Sequence, residues 1–174
     1  MAVAGDAAWS AAHDLGRALV DAGYRIVTGG LGGVMEAACL GARQAGAYRE
    51  GDTVALLPGH LADSANAYVD IVIPTGLDHA RNALISQADA VVAVGGGAGT
   101  LSEIALAWVH RRLVLAYRLP GWSGRVADAP LDPRPRFAGP LLDRVFGVDA
   151  AGDVVALLGA HLIEYLAAAR KPAP

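Results

Sequence analysis

The sequence predicts an α/β domain built on an open, mostly parallel sheet with helices on both faces. Three observations predict it. Short apolar runs alternate with longer amphipathic ones, the pattern of βα units. Two glycine-rich stretches each follow an apolar run and lead straight into a helical pattern. The 174 residues, 54% hydrophobic and 18% charged, suit one domain (1–174) with one sizeable core. No internal repeat or linker interrupts them.

Taken in order, residues 2–4 read as a very short first strand. Either the chain starts upstream of Met1, or this edge of the sheet is trimmed. Residues 7–22 follow as a helix. Residues 24–28 are the second strand, leading to a helix over 34–45. Residues 53–57 are a third strand, stopped by Pro58-Gly59, and 69–73 alternate up to Pro74 as a fourth. Residues 78–88 predict a helix with Ala80, Leu84, Ile85 and Ala88 on one face. Residues 90–94 form a continuous apolar strand of the kind buried on both sides. The helix over 101–110 is apolar nearly all round, which calls for burial, in part by a second subunit. Residues 113–117 are another buried strand. Residues 120–140, rich in Pro, Gly and Arg, predict an irregular surface excursion. Residues 144–148 give a last strand and 150–169 a closing helix.

Composition excludes several chemistries. A net charge of −3 argues against a broad nucleic-acid footprint while leaving room for a local arginine pocket. Cys39 is the single cysteine, so neither an internal disulfide nor a multi-cysteine metal site is available, and it reads as a small apolar residue on the buried side of a helix. The histidines His13, His60, His110 and His161 show no metal-ligand spacing. The single lysine, Lys171, sits in a polar tail, which rules out a Walker A lysine and a pyridoxal Schiff base. The start of the chain lacks the basic and apolar regions of a secretory signal, and no run of about 18 uncharged apolar residues could span a bilayer. A cytoplasmic location without membrane contact is the expectation.

The chemistry gathers at the two glycine turns. The first runs Val27-Thr28-Gly29-Gly30-Leu31-Gly32-Gly33-Val34-Met35-Glu36, the second Val94-Gly95-Gly96-Gly97-Ala98-Gly99-Thr100-Leu101-Ser102-Glu103. Glycine lets the backbone take positive φ and approach a ligand closely. The helix start beyond it offers free N–H groups and the positive end of the dipole, which favour an anion. Ligands of open α/β sheets bind at the carboxyl ends of the strands, where both turns lie. The dinucleotide fingerprint G-x-G-x-x-G is not met, because Met35 and Ser102 stand where its third glycine belongs. NAD and FAD are therefore disfavoured. A phosphate group is the expected ligand moiety.

Thr28-Gly29-Gly30 with Gly33-Val34-Met35, then Asp78-His79-Ala80-Arg81-Asn82, then Gly95 through Glu103, resemble the LOG-like Rossmann superfamily. That superfamily includes cytokinin riboside 5′-monophosphate phosphoribohydrolases and molybdenum cofactor carrier proteins; an old "lysine decarboxylase" label is argued against by the missing lysine. The resemblance covers roughly residues 5–117 and implies a Rossmann-like fold, a phosphorylated small-molecule ligand and a homodimer or higher homo-oligomer. It implies a ligand site at Gly29, Gly30, Gly32, Gly33, Met35, Arg81, Asn82, Gly95, Gly96, Gly97, Gly99 and Thr100. No cofactor is required; molybdenum cofactor or a nucleoside monophosphate would be the ligand. Arg81 matches the hydrolases' arginine and Glu103 their glutamate. Gly95 stands where they usually carry proline and Asn82 where they carry lysine, which brings the chain closer to the carrier branch.

Two readings follow. One is a carrier-like binding protein. The other is a hydrolase cleaving an N-glycosidic bond, with Arg81 clamping phosphate or sugar and Glu103 stabilising an oxocarbenium-like sugar or activating water. Structural roles compete: Thr100-Leu101-Ser102-Glu103 could be a capping box, Glu36 could cap its own helix, and Arg81 could be a solvated residue pairing with Asp78. His79 could titrate near the ligand or be an ordinary surface histidine. Ser123 lies in Gly121-Trp122-Ser123-Gly124, which is not the G-x-S-x-G elbow, and Trp122 reads as packing under its loop or stacking on a ligand ring.

Overall fold

The computed structural model describes residues 6–137 and 141–170. The strand expected at residues 2–4 lies outside them. The helices are α1 (Ala7–Asp21), α2 (Val34–Arg43), α3 (Asn82–Ile85), α4 (Ala98–Val109), α5 (Trp122–Val126) and α6 (Ala151–Ala169). The strands are β1 (Ile26–Thr28), β2 (Thr53–Leu57), β3 (Ile71–Pro74), β4 (Ala90–Ala93), β5 (Leu113–Tyr117) and β6 (Phe146–Val148). All pairings are parallel, in two three-stranded sheets ordered β1-β2-β3 and β4-β5-β6. The described strands and helices thus make the parallel, Rossmann-like α/β class expected.

β5 explains the layering. All five of its residues are buried. Leu113, Leu115 and Tyr117 point into the cluster shared with α1 and α6, while Val114 and Ala116 point to Ile104, Ala107 and Trp108 of α4. This two-sided burial is why its sequence is continuously apolar rather than alternating. Each such aliphatic side chain contributes about 1.5–3 kcal/mol of burial. On the other flank, α1 and α2 meet backbone to backbone: a Cβ on Gly16 would strike the carbonyl of Ala38, and one on Gly41 the carbonyl of His13.

Asp70 pins the far end of β2. Its carboxylate accepts hydrogen bonds from Arg43 Nη2 (2.7 Å), the Tyr48 hydroxyl (2.6 Å) and the N–H groups of Gly51 and Thr53 (both 3.1 Å). Burial works to raise its pKa, but the bonds from Tyr48, Arg43 and Thr53 prevail and hold it at about 2.

Two expectations about the segment 78–88 need correction. The helix over 78–88 is a 3₁₀ turn at Asp78–Arg81 followed by the single α-turn of α3. Its apolar face holds only in part: Ile85 is buried as expected, but Ala80 and Leu84 are exposed, and the polar Arg81, Asn82 and Ser86 are buried. The positive φ of Asp78 (48°) and the i→i−3 bonds from Gln87 and Ala88 break the regular ladder at both ends.

The described part of the segment 120–140 is largely irregular and at the surface, as expected, but it is tied down. It contains α5, and Arg136 anchors its far part. The Arg136 guanidinium lies 3.5 Å from the Trp108 ring centroid and donates to Asp143 Oδ1 (2.6 Å), Arg112 O (3.0 Å) and Trp108 O (3.4 Å). It thereby closes the C-terminal end of α4, where a cation also suits the dipole.

α6 is long and apolar enough, by length and composition, to cross a membrane. Asp153 and Glu164 interrupt it, and Val154, Leu158 and Tyr165 pack into the core beside β5 and β6. The Asp153 carboxylate accepts the N–H groups of Asp149 and Ala150, completing the helix start.

Candidate functional site

The first glycine turn leaves β1 at Thr28, whose hydroxyl accepts the Gly30 N–H (3.1 Å). Asn66 secures the turn from across the chain, donating from Nδ2 to the carbonyls of Gly30 and Leu31 (3.1 Å each) and from its N–H to Gly30 O (2.8 Å). Gly30 is spent on packing: a Cβ there would sit 2.5 Å from that of Ala55. Gly33 is the cap residue of α2, with no side-chain hydrogen bond at the cap, and Glu36 lies in the first turn.

The second turn is built the same way after β4. Gly95 (φ 61°) and Gly96 (φ 88°) reverse the chain in a conformation that side-chain-bearing residues rarely adopt, and Gly97 caps α4. The helix starts at Ala98, three residues earlier than the sequence predicts. Thr100 is therefore its third residue, not its cap, and the Thr100–Glu103 capping box is not formed. The Thr100 side chain folds back over Gly96. A Cβ at Gly97 or Gly99 would meet nothing within 4 Å, so the fold itself gives no steric reason for glycine at either position.

The segment 78–85 joins the two turns. Arg81 is only 9% exposed, and its guanidinium lies against Gly29: a Cβ built there would be 2.5 Å from Nη1, 2.6 Å from Nη2 and 2.8 Å from Met35 Sδ. Asn82 is also buried and reaches toward the other turn, with Nδ2 3.5 Å from the Gly99 carbonyl. One residue touches the first turn and the next touches the second.

Arg81 does not pair with Asp78, whose carboxylate lies 4.0 Å from His79 Nε2 on the exposed surface. Instead its Nε and Nη1 are buried without a hydrogen-bond partner. Unsatisfied buried donors cost roughly 1–3 kcal/mol each, more when charged, and call for an explanation. Glu103 is the acidic neighbour. Burial raises its carboxyl pKa, and the positive charge of Arg81 only partly offsets this. Arg81 and Glu103 form no direct ion pair among the described residues. The arrangement can hold an anion on Arg81 and the helix start, with Glu103 beside it as a hydrogen-bond partner or proton carrier.

The structure therefore brings together Gly29, Met35, Arg81, Asn82, Gly99 and Glu103, with Gly95, Gly96, Gly97 and Thr100 along the same edge. Gly30, Gly32 and Gly33 belong to the first turn, where Gly30 faces Ala55 and Leu57. His79 is exposed. The Trp122 ring packs against the cluster under α4, not into the cradle. A groove of about 680 Å³ between α1 and α6, lined by Asp14, Tyr117 and Gly152 among others, contains none of these residues. The chemistry points to the glycine edge, whatever the room elsewhere.

Sequence reasoning missed two supports, Asn66 and Ser123. Asn66 is 36 residues from the carbonyl it holds. Ser123 Oγ accepts the Gly95 N–H at 2.7 Å in a buried contact spanning 28 residues. No local pattern encodes either pairing.

A parallel α/β domain whose strand ends carry paired glycine turns, with a buried arginine beside the first, defines a Rossmann-like protein. The chain belongs to the SLOG cluster4 family, whose profile matches residues 2–133, in accord with the LOG-like motifs. It is similar to an uncharacterized protein of Archaeoglobus fulgidus, 42% identical over 110 residues that span 63% of this chain and 70% of that protein. Among solved structures it resembles the molybdenum cofactor carrier protein of Chlamydomonas reinhardtii (27% identity, TM-score 0.72, covering 92% of this chain and 91% of that one). It also resembles the molybdenum cofactor binding protein of Rippkaea orientalis (27% identity, TM-score 0.71, covering 91% and 90%).

Proposed function

We propose that this protein binds a phosphorylated small molecule at the junction of its two glycine turns, as a carrier-like protein whose ligand is a phosphorylated pterin of the molybdenum cofactor type. One observation carries the reading: a buried guanidinium with two orphaned donors lies against Gly29 of the first turn, while the next residue, Asn82, reaches the Gly99 carbonyl in the open first turn of α4. A phosphate would take the Arg81 donors and the N–H groups at Gly97 and beyond, leaving the rest of the ligand on the open edge. The described residues fit such a group because the positive end of α4 carries no side-chain cap and neither Gly97 nor Gly99 obstructs it. The similarity to two proteins of molybdenum cofactor binding supports the ligand class.

A second reading, cleavage of a nucleoside 5′-monophosphate to base and ribose 5-phosphate, is favoured by Glu103. Its raised carboxyl pKa beside an arginine suits acid–base work on a glycosidic bond. Gly95 and Asn82, in place of the proline and lysine usual in the hydrolases, weigh against it.

Native mass spectrometry of freshly purified protein, followed by incubation with AMP and assay for free base, tests both. Co-purification of a phosphorylated pterin without base release supports the carrier. Base release that disappears in Glu103→Gln supports the hydrolase and overturns the carrier reading. Exposed Val109 on α4 and Ile163 on α6 support a homo-oligomer, to be tested by light scattering of Ile163→Glu.

A further inference from the structure

We propose that the Gly121-Trp122-Ser123 turn is the positioning element of the second glycine turn, aiming the N–H groups of Gly96 and Gly97 at the ligand; this rests on the anion-binding reading of that edge. The start of α5 takes up both carbonyls of the turn. Ser123 N–H donates to Gly95 O and Trp122 N–H to Gly96 O, each at 3.0 Å. Ser123 Oγ accepts the Gly95 N–H at 2.7 Å, and the residue is fully buried.

Because a trans peptide is planar, its N–H points opposite to its carbonyl. Fixing Gly95 O and Gly96 O toward α5 therefore turns the Gly96 and Gly97 N–H groups away from α5. Neither N–H has an acceptor among the described residues. Gly121 makes the close approach possible: at φ 118° it sits so near that a Cβ would lie 2.8 Å from Gly95 C and Gly96 O.

A glycine triplet without such a clamp would sample many conformations and lose entropy on binding. Ser123 thus acts through Gly95, not on the ligand. The motif has the look of a failed nucleophile elbow in the sequence, but its serine is a backbone acceptor.

The test compares wild type, Ser123→Ala and Ser123→Cys. The readouts are calorimetric affinity for inorganic phosphate and AMP, the melting temperature, and amide exchange at Gly95, Gly96 and Gly97. Ser123→Ala is expected to weaken probe binding about tenfold, with faster exchange confined to 95–97 and little change in melting temperature; Ser123→Cys, which keeps a weaker acceptor, should recover part of the affinity. Wild-type affinity in Ser123→Ala despite faster local exchange overturns the inference and leaves the anion site standing. So does an affinity loss that merely tracks global unfolding. Failure of wild type to bind either probe removes the anion site, and with it this role for Ser123.

Discussion

Gly29 and Arg81 are fitted to one another: the space a methyl would need on Gly29 is taken by the Arg81 guanidinium, with Nη1 and Nη2 at 2.5 and 2.6 Å from where it would sit. The glycine makes room for the charge, and the charge closes the first turn. Gly29→Ala should therefore displace Arg81 from the cradle. We expect phosphate affinity to fall by tenfold or more, with the backbone of β1 intact by NMR. Unchanged affinity would mean that Arg81 does not hold the anion.

Arg81 itself separates function from stability. A buried cation with two orphaned donors gains little for the fold. Arg81→Gln should leave the melting temperature equal or higher while abolishing detectable phosphate binding. A loss of several degrees in the absence of ligand would make Arg81 a structural residue.

Gly97 and Gly99 offer the converse experiment. Beyond the neighbouring residues and the helix's own backbone, a Cβ at either position would meet nothing within 4 Å. Gly99→Ala, inside α4, should stabilise the protein by up to about 1 kcal/mol through helix propensity alone. The same methyl should obstruct a ligand resting on the helix start. Higher melting temperature with lower affinity is the expected pair of results, measured by calorimetry of the variant and wild type.

Glu103 predicts a pH dependence. Its folded pKa lies above the ordinary carboxylate value because of burial. Between the unfolded and folded values the native state holds more protons, so stability falls as pH rises through that window. The penalty is complete only above the raised folded value and vanishes below the ordinary glutamate range. Glu103→Gln should raise the melting temperature at pH 7, with the gain shrinking to nothing as the pH drops below about 4. Thermal melts across that range measure it.

Asp70 has the opposite sign. Its pKa is held at about 2, so its contribution is complete above the unfolded value of 3.8 and is lost as pH falls through 2. Asp70→Asn should cost roughly 3 kcal/mol at pH 7, since it breaks a buried charged network. Denaturant unfolding at pH 7 checks the size, and the difference from wild type should narrow in acid.

Periodicity made the strands and helices legible, β5 above all, because two-sided burial writes itself as an unbroken apolar run. The glycine turns were legible for the same reason: positive φ and bare helix starts restrict residue type. The α-turn at 82–85 was not. An apolar pattern at Leu84 and Ile85 suggested a face, yet only Ile85 of the two is buried, beside the polar Arg81 and Asn82. Polar burial justified by a site rather than a core leaves no periodic trace. The early start of α4 was hidden because Gly99 and Thr100 look like turn residues, whereas Gly97 already caps the helix. Asn66, Ser123 and Arg136 act across 24 to 36 residues of chain, beyond the reach of any local signature.

Gly16 and Gly41 bring α1 and α2 into main-chain contact, a joint with no slack. The head of α2, where the first turn ends, is thereby referred to a fixed datum. Compliance has to come from the opposite wall, where a 3₁₀ turn and a single α-turn supply few ladder bonds. Under the proposed anion-binding reading, the residue offered as the anion's main partner therefore rides on the part of this edge with the fewest ladder bonds.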